Sequence, residues 1–321
     1  MLRRLSLICL IFAATTMGAL GHTYPAQSVK IIVAFSAGGS VDALARILAD
    51  ELGKKWNRQV IVENRPGGLG NIGTTAAARS APDGYTLYLA SSSIAINQTI
   101  APIPGFDPTV DLEPIMLVAA AQDILIVPPN TPFHSAREVI NFAKAHPKKL
   151  TYGTLGSSSS GNMAMAVFCQ QNGDLKMTQV AYSQSSQLVT DVISGRVDLF
   201  FPTTGAHVGV VKSGKEKALG VSGPKRAEQL PDVPTFTEQG VKYPAATSWY
   251  ALFAPKGTPG KIVDTINRGL TEILSAPSYI SREKKLGYET IGGSPDRLRK
   301  YLSAEMERWR VIARNPNFEG R

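Results

Sequence analysis

Cysteine and histidine are scarce in this sequence, which has two cysteines and four histidines. No HxxxH, HExxH or paired-cysteine spacing of the kind that holds zinc is present. Cys9 lies in the apolar N-terminal segment, so the rest of the chain contains only Cys169 and cannot form an internal disulfide. We therefore expect a fold that depends on its apolar core and needs neither a metal nor a cofactor.

Long apolar runs are missing except at the N-terminus. Arg3 and Arg4 precede an uncharged run from Leu5 to Leu20 that is shorter than a membrane-spanning helix. The small residues Ala19 and Gly21 place a cleavage site before His22. We predict a signal peptide over 1–21 and a periplasmic mature chain, with an uncleaved N-terminal anchor as the alternative.

Acidic residues are fewer than basic ones: 25 Asp and Glu stand against 34 Lys and Arg, a formal net charge of +9. Loss of Arg3 and Arg4 with the signal peptide lowers this charge to +7. The basic residues are scattered along the chain and form no stripe interleaved with aromatic residues. A solvated surface explains this pattern better than a nucleic-acid site, so we expect no nucleic-acid partner.

Short β-branched segments alternate with longer amphipathic segments, which is typical of a parallel sheet covered by helices. This alternation occurs twice, from residue 29 to 93 and again from 135 to 202, and predicts two α/β units. The clearest predicted helices cover residues 41–56, 261–275 and 295–313.

Two apolar segments punctuated by proline, 113–129 and 247–259, lie at the borders of the second unit. We predict that they cross between two lobes, with a ligand cleft between the lobes and a hinge at the crossings. Edge strands in one larger sheet are the alternative. The predicted domains are the signal peptide at 1–21, the first part of lobe 1 at 22–122, lobe 2 at 123–249, and the return to lobe 1 with the C-terminal helices at 250–321.

Glycine and serine cluster in the turn after the first predicted strand, Phe35-Ser36-Ala37-Gly38-Gly39-Ser40. Glycines let a ligand approach the backbone, and the N–H groups at a helix start attract an anion such as a carboxylate. Ser40 or Asp42 acting as a simple helix cap is the alternative, but a cap leaves the two glycines unexplained.

A second glycine-rich turn, Pro66 to Gly73, contains GxGxxG between Gly68 and Gly73. A dinucleotide site would require an acid about 20 residues further on. The next predicted strand ends instead in three serines, Ser91, Ser92 and Ser93. The spacing therefore disfavours a nucleotide.

A third cluster, Thr154 to Asn162, contains four consecutive serines between a predicted strand and a helix. A serine nucleophile would need a GxSxG elbow and a base, and neither the elbow nor a suitably placed histidine is visible. A hydroxyl-rich anion site is favoured, and an α/β enzyme remains the alternative class.

Four segments together resemble the Bug family, the solute-binding proteins of tripartite tricarboxylate transporters: VAFSAGGSVDALAR, VIVENRPGGLGNIGTTAAARSAPDGYTLYLAS, PTFTEQG and SWYALFAPKGTP. The resemblance implies a type II periplasmic binding protein fold, in which two α/β lobes close over one ligand. It also implies a small carboxylated ligand and a partner made of a large and a small membrane subunit. We expect a monomeric receptor without catalytic activity.

By position, the resemblance implies ligand contacts in six loops. Those of lobe 1 are Phe35, Ser36, Ala37, Gly38, Gly39, Ser40, Gly67, Gly68, Gly70, Ser91, Ser92 and Ser93. Those of lobe 2 are Thr154, Ser157, Ser158, Ser159, Tyr182, Gln184, Ser185, Phe201 and Thr203.

Lobe 2 departs from the family pattern at three places, Asn162-Met163, Tyr182-Ser183-Gln184 and Pro202. These changes remove charge from the distal wall of the site. Since a buried ammonium group needs an acidic partner, we expect a ligand without one. Phe35, Tyr182 and Phe201 are expected to line the middle of the site, unless they pack in the core.

Overall fold

The computed structural model describes residues 24–156, 159–243 and 247–314, which form two β-sheets covered by helices. The strands are β1 Val29–Val33, β2 Val60–Asn64, β3 Thr86–Ser91, β4 Leu112–Gln122, β5 Ile124–Val127, β6 Thr151–Thr154, β7 Thr178–Ala181, β8 Leu199–Phe200, β9 Lys217–Val221, β10 Thr247–Pro255 and β11 Tyr288–Thr290. The helices are α1 Ser40–Trp56, α2 Asn71–Ala78, α3 Ser93–Ile100, α4 Pro108–Asp111, α5 Ala136–Ala145, α6 Ser160–Gln171, α7 Ser185–Ile193, α8 Val208–Lys212, α9 Gly260–Leu274, α10 Pro277–Lys285 and α11 Pro295–Ala313. The predicted signal peptide, Ser157 and Ser158 lie outside the described residues.

The first sheet has six strands in the order β11-β4-β10-β3-β1-β2. Strand β1 pairs in parallel with β2 and β3, whereas β10 is antiparallel to β3 and β4. Alternate residues of β1 face opposite sides, so Ile31 packs in one core with α1 and α9. Ile32 packs in the other core with α2, α3 and α11.

The second sheet has five strands in the order β7-β6-β8-β5-β9. Strand β6 pairs in parallel with β7 and β8, and β5 is antiparallel to β8 and β9. Buried residues of α5 and α6, including Val139 and Phe168, pack on one face of this sheet. Leu188 and Val192 of α7 pack on the other face. We call the first sheet with its helices lobe 1, and the second sheet with its helices lobe 2.

Two segments cross between the lobes. Strand β4 belongs to lobe 1 and β5 to lobe 2, and only Asp123 separates them. Strand β10 brings the chain back and pairs with β4 from Thr247 onward, whereas the predicted return to lobe 1 begins at 250. The predicted fold class, two α/β lobes joined by crossing strands, is confirmed, and the alternative of one larger sheet is wrong.

Within the described ranges, no helix combines the length and the apolar character needed to cross a membrane.

Candidate functional site

The predicted contact loops follow the carboxyl ends of parallel strands. In lobe 1 these strands are β1, β2 and β3, and in lobe 2 they are β6, β7 and β8. Because parallel strands end at the same sheet edge, each lobe gathers its three loops along one edge. Helices α1, α2 and α3 begin at the edge of lobe 1, and α6 and α7 begin at the edge of lobe 2.

The two edges face each other. Leu69 Cδ2 in lobe 1 lies 3.4 Å from the point where a Cβ would project from Gly156 in lobe 2. Deeper in the molecule, the Tyr250 hydroxyl lies 3.4 Å from Ser40 Oγ and also shares a hydrogen bond with Thr203 of lobe 2. Tyr250 is buried and its pKa is raised to about 12 by that burial. We call the space between the facing loops the interlobe cleft.

The turn after β1 is held by Asp42. Gly39 is the N-cap residue of α1 and provides no side chain for capping, while Asp42 Oδ2 accepts a hydrogen bond of 2.9 Å from Gly38 N–H. Burial raises the pKa of Asp42, but hydrogen bonds from Arg46, Gly38 and Asn64 outweigh it and leave the pKa below its usual value. Asp42 therefore fixes the turn as an anion, and Ser40 does not cap the helix.

The turn after β2 is built from backbone conformations that favour glycine. Gly67, Gly68 and Gly70 have φ of 117°, 55° and 93°, in the left-handed half of conformational space. A Cβ on Gly70 would lie 3.5 Å from the ring of Phe35, so this turn and the β1 turn are neighbours. The predicted contacts Phe35 and Gly70 are thus brought together.

The three serines at the end of β3, Ser91, Ser92 and Ser93, are buried. Ser91 and Ser93 share a hydrogen bond of 2.8 Å between their hydroxyl oxygens, and Ser92 N–H donates to the Trp249 carbonyl at 3.0 Å. Ser93 is the first residue of α3, a helix that the sequence pattern did not predict. Like α1 and α2, α3 begins without a side-chain cap among the described residues.

The loop after β6 in lobe 2 is organised by hydroxyl groups. Thr154 Oγ1 donates to the Gly156 carbonyl at 3.0 Å and lies 3.2 Å from Ser159 Oγ. Ser159 caps α6 by accepting from Asn162 N–H at 3.3 Å. The Asn162 side chain is buried and accepts from the Tyr152 hydroxyl at 3.4 Å, so it points into lobe 2 and not into the cleft.

The loop after β7 presents Tyr182, Gln184 and Ser185. Tyr182 is half-buried and donates from its hydroxyl to Asp191 Oδ2 at 2.8 Å. Asp191 also accepts from Arg196 at 2.9 Å, and its pKa is lowered by the hydrogen bonds from Tyr182 and Arg196. Gln184 and Ser185 are exposed at the start of α7.

Phe201 is placed differently from the expectation. Its ring is 1% exposed, stacks on Tyr243 with ring centroids 5.6 Å apart, and contacts Phe168 at 5.8 Å. The alternative that this aromatic residue packs in the core is therefore correct for its side chain. The Phe201 ring is more stable when it packs among other aromatic rings than when it is exposed at a polar cleft. Thr203, two residues on, is buried and shares a hydrogen bond with Tyr250 of lobe 1.

Asp123, Ser248 and Tyr250 were not found from the sequence. Asp123 is 4% exposed at the first crossing, and Ser248 at the second crossing donates to its Oδ1 at 3.0 Å. Burial raises the pKa of Asp123 to about 7, against the hydrogen bond from Ser248 and the charge of Arg308. A small cavity between the lobes is lined by Ser92, Asp123, Ser160, Tyr243, Ser248 and Arg308, among others. The sequence carried one signal for these residues: all three lie in the proline-punctuated segments 113–129 and 247–259, which were predicted to cross between the lobes.

A family model described as "Tripartite tricarboxylate transporter family receptor" matches residues 44–318 of the chain. Protein BugT of Bordetella pertussis is 31% identical over 318 residues, which cover 98% of this chain and 97% of BugT.

Two solved structures have closely similar folds. The periplasmic binding protein BugD has a TM-score of 0.85 and 30% identity, over 92% of this chain and 99% of BugD. An R. palustris protein solved with adipate also has a TM-score of 0.85 and 30% identity, over 90% of this chain and 97% of that protein.

Proposed function

We propose that this chain, which belongs to the tripartite tricarboxylate transporter receptor family, binds a small dicarboxylate, tricarboxylate or aromatic carboxylate in its interlobe cleft for delivery to a membrane transporter. Its role is binding without catalysis. Its partners are the large and small membrane subunits of the transporter. It acts as a monomer in the periplasm after removal of residues 1–21.

One observation carries the proposal: within the described part of the chain, α1, α2 and α3 all begin at the cleft edge of lobe 1 without a side-chain cap. The first N–H groups of a helix lack partners within the helix, and the helix start carries a partial charge of about +0.5. At α2 the N–H groups of Asn71 and Ile72 already donate to the carbonyls of Gly68 and Gly67, so a carboxylate meets the N–H groups of α1 and α3 and the partial charge of α2. The first carboxylate of the ligand therefore binds at the loops Phe35–Ser40, Gly67–Gly70 and Ser91–Ser93.

The far end of the ligand meets lobe 2, where the candidate contacts are neutral. They are Thr154, Ser157, Ser158, Ser159, Tyr182, Gln184, Ser185 and Thr203. The R. palustris relative solved with adipate supports a linear dicarboxylate as one member of the ligand class. Hydroxyl groups can donate to a second carboxylate or accept from a polar substituent.

The acids near the cleft favour a ligand without an ammonium group. Asp42 is paired with Arg46, Asp191 with Arg196, and the Asp123 carboxyl accepts from Ser248. An ammonium group could pair with one of these carboxyl groups only by displacing the donor that the carboxyl group already has. This cost supports preference for a carboxylate that carries no positive charge.

Calorimetry and thermal-shift measurements with adipate, citrate, terephthalate, glutamate and aspartate at one ionic strength test the proposal. A true ligand raises the free energy of unfolding by about 2.7 kcal/mol at a hundredfold excess over Kd. We expect stabilisation by at least one of the first three acids and none by the two amino acids. If only glutamate or aspartate binds tightly, the proposed ligand class is wrong. If no compound in a wide panel of carboxylates binds, the proposed function is wrong.

A further inference from the structure

Leu69 has an unusual backbone conformation for its residue type. It has φ of 59° and ψ of 25°, and it is the only non-glycine residue in the run Gly67 to Gly70, where every φ is positive. The left-handed helical region costs an L-residue other than glycine about 1–2 kcal/mol. Strain of this kind is often found at ligand-binding segments, where the surrounding structure enforces it.

The surroundings of Leu69 do enforce this conformation. Asn97 on α3 is 4% exposed and donates from Nδ2 to the Leu69 carbonyl at 2.9 Å. The same amide donates to Asn71 Oδ1 at 2.9 Å, and Asn71 Nδ2 donates to the Ala101 carbonyl at 2.8 Å. The middle and the C-terminal end of α3 are therefore tied to this turn, and the Leu69 backbone is held in place.

The side chain of Leu69 is directed across the interlobe cleft. Its Cδ2 lies 3.4 Å from the position that a Cβ on Gly156 would occupy, so the side chain of Leu69 in lobe 1 lies close to the Gly156 backbone in lobe 2. Leu69 is 36% exposed, and Leu155, next to Gly156, is 42% exposed. Large apolar side chains thus remain accessible on both rims of the cleft at the point where the lobes meet.

We propose that Leu69 is an interlobe latch, a positioning residue whose strained backbone places an apolar side chain against the Gly156 loop and stabilises the closed form. The proposal extends the proposed function, because a latch on the closed form slows release of the bound carboxylate. The contact is lost when the lobes separate, and the local strain is present in both forms. Removing the side chain therefore weakens closure.

Three variants separate a latch from a packing role. Leu69→Ala removes the side chain and keeps the left-handed strain, and Leu69→Gly removes both. Val110→Ala is the matched control, because Val110 is a 52% exposed apolar residue on α4. With adipate as the probe, or citrate or terephthalate if one of those binds the parent, we expect Leu69→Ala and Leu69→Gly to release the ligand roughly three- to tenfold faster than the parent. Val110→Ala is expected to match the parent.

Two measurements without ligand complete the test. Small-angle scattering is expected to give a larger radius of gyration for Leu69→Ala than for Val110→Ala. Leu69→Gly is expected to melt no lower than Leu69→Ala, because glycine relieves the strain. Parent-like release and scattering for Leu69→Ala would overturn the latch, as would a Leu69→Gly melting temperature as low as that of a core truncation. If none of the three acids binds the parent, the proposed ligand class fails, while the scattering comparison still decides whether Leu69 is a latch.

Discussion

The Ser248 hydroxyl donates a hydrogen bond of 3.0 Å to Asp123 Oδ1, which joins the two segments by which the chain crosses between its lobes. Asp123 separates β4 from β5, and Ser248 is the second residue of β10. Burial raises the pKa of Asp123 to about 7. The crossings are thus linked through a carboxyl group that changes charge near neutral pH.

Stability is expected to depend on pH through Asp123. Its pKa in the folded state, about 7, is above the ordinary 3.8, so the folded chain binds the proton more tightly. The free energy of unfolding therefore falls as pH rises from about 4 to 7, by about 1.4 kcal/mol for each unit of pKa difference, and Asp123 adds no further change above that range. Asp123→Asn, which resembles the protonated acid, should lose this slope and exceed the parent in stability at pH 8.

Denaturant unfolding of the parent and Asp123→Asn between pH 4 and pH 8 measures this effect. Ser248→Ala is a useful comparison, because it removes the hydrogen bond and keeps the acid. Parallel pH profiles for the parent and Asp123→Asn would show that Asp123 is ionised throughout this range.

Gly39→Val is expected to abolish ligand-induced stabilisation while the fold persists. A Cβ at Gly39 meets only Ser36 O at 3.6 Å, and φ is −81°, so the backbone accepts a side chain. The valine would cover the N–H groups at the start of α1. Gly260→Val at the start of α9 is the control, since no atom lies within 4 Å of its Cβ position. Thermal shifts with adipate should be lost in Gly39→Val, and parent-like binding by that variant would rule out an anion site in this turn.

Gly205→Ala is expected to weaken ligand binding by disturbing a contact between the lobes. A Cβ at Gly205 in lobe 2 would lie 2.0 Å from the Leu286 carbonyl oxygen in lobe 1, a distance that forces the backbones apart. Overpacking of this kind costs about 1–3 kcal/mol, which corresponds to an increase in Kd of roughly 5- to 150-fold if the cost falls on closure. Gly209→Ala on α8 is the control, because no atom lies within 4 Å of its Cβ position. Calorimetry showing equal affinities for the two variants would contradict this role.

Gly73→Ala is expected to destabilise lobe 1 whether or not ligand is present. A Cβ at Gly73 on α2 would lie 2.6 Å from Ala34 Cα and 2.9 Å from the Arg65 carbonyl oxygen. The helix would have to move away from β1, at a cost of about 1–3 kcal/mol in the free energy of unfolding. Gly260→Ala, at the open start of α9, should leave stability nearly unchanged. Urea unfolding of both variants tests this expectation. Equal midpoints would show that α2 can move away from β1 without a loss of stability.

Local patterns in the sequence were sufficient for most helices and strands. The predicted helices 41–56, 261–275 and 295–313 agree with α1 Ser40–Trp56, α9 Gly260–Leu274 and α11 Pro295–Ala313 to within one residue. Helical periodicity depends on neighbours three and four positions apart, so it is visible in the chain itself. The short elements α10 and β11 were missed, because few residues carry their patterns.

The two α/β units, the crossing segments and the glycine and serine loops could be predicted from the chain, since each depends on residues that are close together in it. Three other features became visible only in the folded molecule: Phe201 packs in the core, Tyr250 joins Ser40 to Thr203, and Ser248 contacts Asp123. These outcomes depend on the order of strands in the sheets and on the angle between the lobes. Both bring together residues that are distant in the chain, such as Ser40 and Tyr250, which are 210 positions apart, and no local spacing encodes these contacts.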